Sequence, residues 1–244
     1  MTALPGAEGR VHAFGTGALL LMTAGLLLLA IPVSRLRLLS APLFALGFIL
    51  AVTTPRPDVL IDSEAEAVAV RGSDGRLTVL AARQNRISAD SWLAADGDTR
   101  KSRDALEGGF RCDPAGCAAK LADGTTIAVA RRPDAFADDC REAALVVSPF
   151  DVPAACAAAA VDRRALASTG ALALRRVKGA WVAEPVRSPT ADRPWYGRAR
   201  APDPAALARL YRRPNAPANA ETPSARPDDE RMPEEGGGGE GEEE

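Results

Sequence analysis

The chain holds a single histidine, His12, among 244 residues, and only 5% of its side chains are aromatic. Imidazole is the commonest metal ligand and the usual acid–base group near neutral pH. Its absence after residue 12 therefore removes most hydrolytic and metal-centred chemistry from the region that follows. Also missing are a Gly-x-Ser-x-Gly elbow, a phosphate-binding glycine loop, a Cys-x-x-Cys spacing and any neighbouring Cys/His pair. The expectation is a protein that is not an enzyme and carries no cofactor or metal. His12 itself reads as an interfacial residue. Asp138 and Asp139 beside Cys140 read as a solvated helix face, and Asp96 and Asp98 around Gly97 as a turn. Trp92, Trp181 and Trp195 read as packing. A core drawn mainly from Ala and Val buries little area per residue, so modest stability is expected.

Charge is absent from two stretches near the start, Ala13–Val33 and Leu38–Thr54. At about 1.5 Å per residue the first is long enough for the roughly 30 Å hydrocarbon layer, so transmembrane helices are predicted over 13–33 and 36–54, after a short N-terminal tail, 1–12. A cleaved signal peptide flanked by Arg10 and His12 is the alternative for the first run. Arg35 and Arg37 in the linker favour a cytoplasmic loop, which puts both chain ends outside. The expected location is thus the bacterial inner (plasma) membrane, multi-pass, with the lipid bilayer as partner and the following domain extracytoplasmic. The net charge of −2 hides a contrast: residues 56–213 carry 25 basic and 21 acidic side chains, whereas 214–244 carry two arginines against ten acids. Residues 198–244 read as a disordered acidic tail, with one polar helix over Ala205–Arg213.

Between them, alternating apolar runs and turn residues predict a domain over 56–197. Ala67–Arg71 and Leu77–Leu80 bracket Gly72-Ser73-Asp74-Gly75, a hairpin signal. Ser88 is expected to cap a short helix through Ala94. Cys112 and Cys117 flank Asp113-Pro114-Ala115-Gly116, which suits a type I turn and brings the two thiols face to face. Cys140 and Cys156 remain as a second candidate pair. Four cysteines in an exported domain read as two disulfides; buried free thiols are the open alternative, with a zinc site disfavoured. Asp134–Glu142 reads as helix, Ala144–Val147 and Ala157–Val161 as short buried strands. Asp162 caps a helix closing at Gly170, and Ala171–Arg176 and Trp181–Glu184 form a last hairpin. Hairpins first and strand–helix–strand units later predict one layered α/β domain.

The order of these segments is similar to a known family. Pro57-Asp58-Val59-Leu60-Ile61 followed by Ala67 to Leu80 resembles the start of the metallo-β-lactamase-like domain that ends ComEC competence proteins, the channels for DNA uptake. Ala143–Pro149 resembles the strand before that domain's Pro-His-His-Gly turn. Val161–Gly170, Ala171–Arg176 and Gly179–Val182 resemble its closing strand, helix and hairpin. Asp162-Arg163-Arg164 and Asp192-Arg193-Pro194-Trp195 resemble the ending of a divergent form that has lost the metal motif. The resemblance covers about 36–197. Where an active domain has its His-x-His-x-Asp-His motif, this chain has Asp90–Arg103, and where the Pro-His-His-Gly turn sits it has Pro149-Phe150-Asp151-Val152. No metal ligand carries over.

The fold expected is two transmembrane helices followed by a degenerate metallo-β-lactamase-like layered β/α domain and an acidic tail. The function implied by the resemblance is the non-catalytic C-terminal portion of a ComEC-like channel, partnered by single-stranded DNA, the missing channel portion or other competence proteins. The arginines that would meet DNA phosphates are Arg131, Arg132, Arg163, Arg164, Arg175 and Arg176. A tethered protein-interaction module, or a non-functional gene fragment, is the alternative.

Overall fold

The computed structural model describes residues 12–30, 35–82, 85–101, 105, 109–187 and 204–211. Arg193, Trp195 and the acidic tail lie outside them.

The two apolar runs form a helical hairpin, but not the predicted spans. Helix α1 covers Thr16–Ala30, 15 residues, and α2 covers Ser40–Thr53, 14 residues. At about 1.5 Å per residue each is only about 20 Å long. Arg35–Leu39 makes a 3₁₀ turn instead of extending α2, and Pro55 follows its end. No helix among the described residues is long and apolar enough to cross a membrane. The predicted transmembrane helices, the multi-pass inner-membrane location and the side assigned to the following domain are corrected accordingly. The hairpin closes on two glycines. A Cβ on Gly25 would lie 3.0 Å from the Phe44 backbone nitrogen, and one on Gly47 would lie 2.8 Å from Met22 Cγ. His12 ties the entry strand to the exit: its Nε2 lies 3.2 Å from the Ala51 carbonyl and its Nδ1 3.2 Å from Arg56 Nη2.

The fold expected as a layered α/β domain is corrected to two five-stranded sheets, one antiparallel and one mixed, with α+β content. The first, antiparallel throughout, has the order β10-β9-β1-β2-β3, from β1 (Val59–Ile61), β2 (Ala67–Arg71), β3 (Leu77–Ala81), β9 (Leu172–Val177) and β10 (Ala180–Pro185). The second has the order β4-β5-β6-β7-β8, from β4 (Phe110–Cys112), β5 (Gly116–Lys120), β6 (Thr126–Ala130), β7 (Leu145–Val147) and β8 (Ala159–Val161). Its first three strands are antiparallel, and β6, β7 and β8 run parallel.

Period-two alternation sorts the side chains. Val59, Ile61, Val68 and Val70 of the first sheet meet Ile127, Val129, Leu145, Val147 and Val161 of the second in the main core. The alternate residues Ala128, Ala130, Val146 and Ala160 face outward under Phe136 of α4 (Phe136–Glu142). Ala69, Leu77 and Val79 face Ala89 and Leu93 of α3 (Arg86–Ala95). Strands β2, β6, β7 and β8 are buried on both faces, which is why they read as near-continuous apolar runs. Helix α5 (Arg163–Thr169) follows β8, and α6 (Pro204–Leu210) returns to bury Leu210 completely in the main core.

Polar links hold the layers in place. Arg71 forms a two-pronged pair with Asp96 at 2.7 and 3.0 Å and also donates to the carbonyls of Gly75 and Pro57. Both side chains are about 10% exposed, so the pair is dry and fully engaged. Cys112 and Cys117 sit opposite each other across β4 and β5 and form a disulfide. Cys140–Cys156 joins α4 to the segment before β8. Asp113 accepts from the amides of Ala115 and Gly116, which holds its carboxyl below the usual range.

Candidate functional site

The parallel strands β6, β7 and β8 end at one edge of the sandwich, and α/β sheets place their ligands at such carboxyl ends. Arg131 and Arg132 follow β6, Ser148 to Asp151 follow β7, and Asp162 to Arg164 follow β8. Four of the six predicted phosphate-contacting arginines therefore share this edge. Their charge is largely met by the chain itself. Arg132 pairs with Asp134 at 2.7 Å, and Asp151 takes Arg164 at 3.1 Å and Arg163 at 3.6 Å.

The deepest group is Asp162. One of its oxygens accepts from the Ala165 amide, capping α5, while Oδ2 lies 2.9 Å from Arg209 Nη2 of α6. That second contact is an ion pair outside hydrogen-bond geometry, since Oδ2 has no hydrogen-bond partner. Arg209 also donates to the Val152 carbonyl at 2.6 Å. The Asp162 side chain is 2% exposed. Helix α6 thus clamps this edge and walls an open cavity of about 750 Å³ shared with Val152, Pro153 and Arg164.

Arg175 and Arg176 lie elsewhere. Neighbouring strand residues point to opposite faces, so one ligand does not meet both from a flat strand. Arg176 shares the inward face of Leu172 and Leu174, opposite Trp181, with its guanidinium 5.8 Å from the indole centroid. It reaches the other end of the sandwich, where β6 and β7 begin, and lies 3.2 Å from Asp123 Oδ2. The Thr125 hydroxyl, above all, holds the Asp123 carboxyl below its ordinary range, with a smaller push from Arg176. Arg176, Lys178 and Arg141 line an open cavity of about 600 Å³ there, with Thr126 and Glu142.

The structure therefore splits the six arginines into an edge group of four, one inward arginine at the opposite end, and Arg175 on the outer face of the first sheet. Sequence reasoning missed Arg209, Asp151 and Lys178. The signal for Asp151 was the run of parallel strands with Asp at two of their carboxyl ends; Arg209 had none. Among the described residues, no group of three or more His, Cys, Asp or Glu side chains is placed to hold a metal ion. The four cysteines are all in disulfides. No protein-family model, curated protein or solved structure matches the chain.

Proposed function

We propose that the chain is a non-catalytic binding module that works beside the channel-forming part of a ComEC-type DNA-uptake system. The observation that carries this reading is the Asp162–Arg209 pair. At the edge where a related hydrolase would gather its ligands, the chain's own α6 occupies the buried carboxylate with a guanidinium. The residues following β7, Ser148 to Asp151, supply no imidazole, and the one histidine is spent on Ala51 and Arg56. The order of segments over 36–197 gives the ComEC comparison its support.

The helical hairpin suits attachment to another protein. Leu20, Leu27 and Leu38 are 67, 70 and 79% exposed, and a helix apolar on all sides is normally covered on all sides. The rest of the same machinery is the partner this reading assigns.

The test is metal analysis of the purified full chain after equilibration with zinc or manganese, followed by incubation with single- and double-stranded DNA. The expected result is no stoichiometric metal and no cleavage. A bound ion at one per chain together with metal-dependent cutting would sink the proposal.

A further inference from the structure

We propose that the cavity at the amino ends of β6 and β7 binds a phosphate group, through Lys178, Arg176 and the Thr126 hydroxyl, with Arg141 at its rim. Lys178 lines the cavity, and no described acid pairs with its ammonium. Its backbone sits in the left-handed region, φ 51°, at the first turn position before Gly179, φ 80°. Asn is the residue such a turn prefers, so the ammonium is placed there against local preference.

Arg176 adds a stronger pointer. Its side chain is 20% exposed, and its Nε is buried with no hydrogen-bond partner. An unpaired buried guanidinium N–H is costly and is normally met by an oxygen. Arg176 also lies against Trp181, which holds its plane. A ligand with several oxygens and a negative charge can take the Lys178 ammonium and an outer nitrogen of Arg176 together, and phosphate does so at short range; the buried Nε joins them only if the side chain shifts.

Three acids temper the site. Asp123 already takes one Arg176 nitrogen at 3.2 Å, Asp138 takes Arg141, and Glu142 stands on the wall. Asp123 is therefore a built-in competitor for the ligand, and the site is expected to be of modest affinity. This makes a prediction that general attraction between a basic surface and an anion does not. Removing Asp123 should tighten binding, and removing Lys178 should loosen it. Removing an equally charged arginine at the far edge should leave it unchanged.

The test is isothermal titration of the full chain with inorganic phosphate at low ionic strength, each variant first checked by thermal melting. Lys178→Gln is expected to weaken binding about tenfold and Asp123→Asn to strengthen it severalfold. Arg163→Gln should change neither. Parallel titrations with a ten-nucleotide oligothymidylate, with and without a 5′-phosphate, identify the source. Preference for the bare oligonucleotide names backbone phosphodiesters, and preference for phosphate or the 5′-phosphorylated form names a terminal or free phosphate; either upholds the site. Absence of binding by all three at millimolar concentration overturns it, as does an equal loss from Arg163→Gln and Lys178→Gln. Metal content and DNA cleavage, which decide the reading of the opposite edge, have no bearing on this outcome.

Discussion

The two ends of the sandwich treat their charges differently. At the carboxyl ends of β6, β7 and β8, Asp162 and Asp151 are matched by Arg209, Arg164 and Arg163, and a returning helix packs along the edge and walls the open cavity there. At the amino ends Arg176 and Arg141 are likewise paired, with Asp123 and Asp138, but Lys178 has no ion-pair partner among the described residues and the buried Arg176 Nε has no hydrogen-bond partner. Both ends come from the same sheets, so the contrast arises from what the connecting segments bring. One end receives α6 from beyond residue 203; the other receives tight turns and the C-terminal end of α4. A fold of this kind can neutralise a buried carboxylate at one edge with its own chain and still keep charge available for a ligand at the other.

Three substitutions probe the contrast. Arg209→Ala leaves Asp162 buried without its cation and should lower unfolding stability by about 3 kcal/mol in urea titrations. A loss under about 1 kcal/mol would mean the clamp is no tighter than an exposed pair. At the opposite end, Lys178→Asn relieves a left-handed lysine and should gain about 0.5 kcal/mol while loosening the phosphate site. A stability loss there would show that Lys178 helps hold the turn.

The smallest effect belongs to Asp139, a carboxylate on α4. Burial, and then the charges of Asp113, Asp138 and Glu142, push its pKa up. Because the folded value exceeds the unfolded one, its contribution to stability is complete below the unfolded pKa and is lost as pH rises through the folded value. Asp139→Asn should therefore raise the melting temperature by about 1 °C at pH 7, with the gain disappearing in acid. An equal gain at pH 3 and pH 7 would contradict that origin.

Much of the strand layout was legible because local signals and burial agree. Gly72-Ser73-Asp74-Gly75 marked the β2–β3 hairpin, Asp113–Gly116 the β4–β5 turn, and Asp162 and Gly170 the two ends of α5. The helix assigned to Ser88 begins earlier, at Arg86 after Asn85. Hydropathy alone misjudged the apolar hairpin, because it measures how greasy a run is and not where its helix stops. The 3₁₀ turn at Arg35–Leu39 is what shortens α2. The site was less readable still. The pairing of Arg209 with Asp162 joins residues 47 apart in sequence through a return of the chain that no local pattern announces. Arg175 and Arg176 looked like a pair on paper, and strand geometry sends them to opposite faces.

β1 is the middle strand of the first sheet, and one of its two neighbours is β9. The Arg176 amide donates to Asp58 across 118 positions of sequence. A ribosome therefore releases β1 long before its second partner exists. Until β9 emerges, one flank of β1 offers unpaired amides and carbonyls to any stray strand, the hazard of an open sheet edge. Such distant pairing also slows folding. Nascent chains halted between β8 and β9 should need chaperone protection that the finished chain does not.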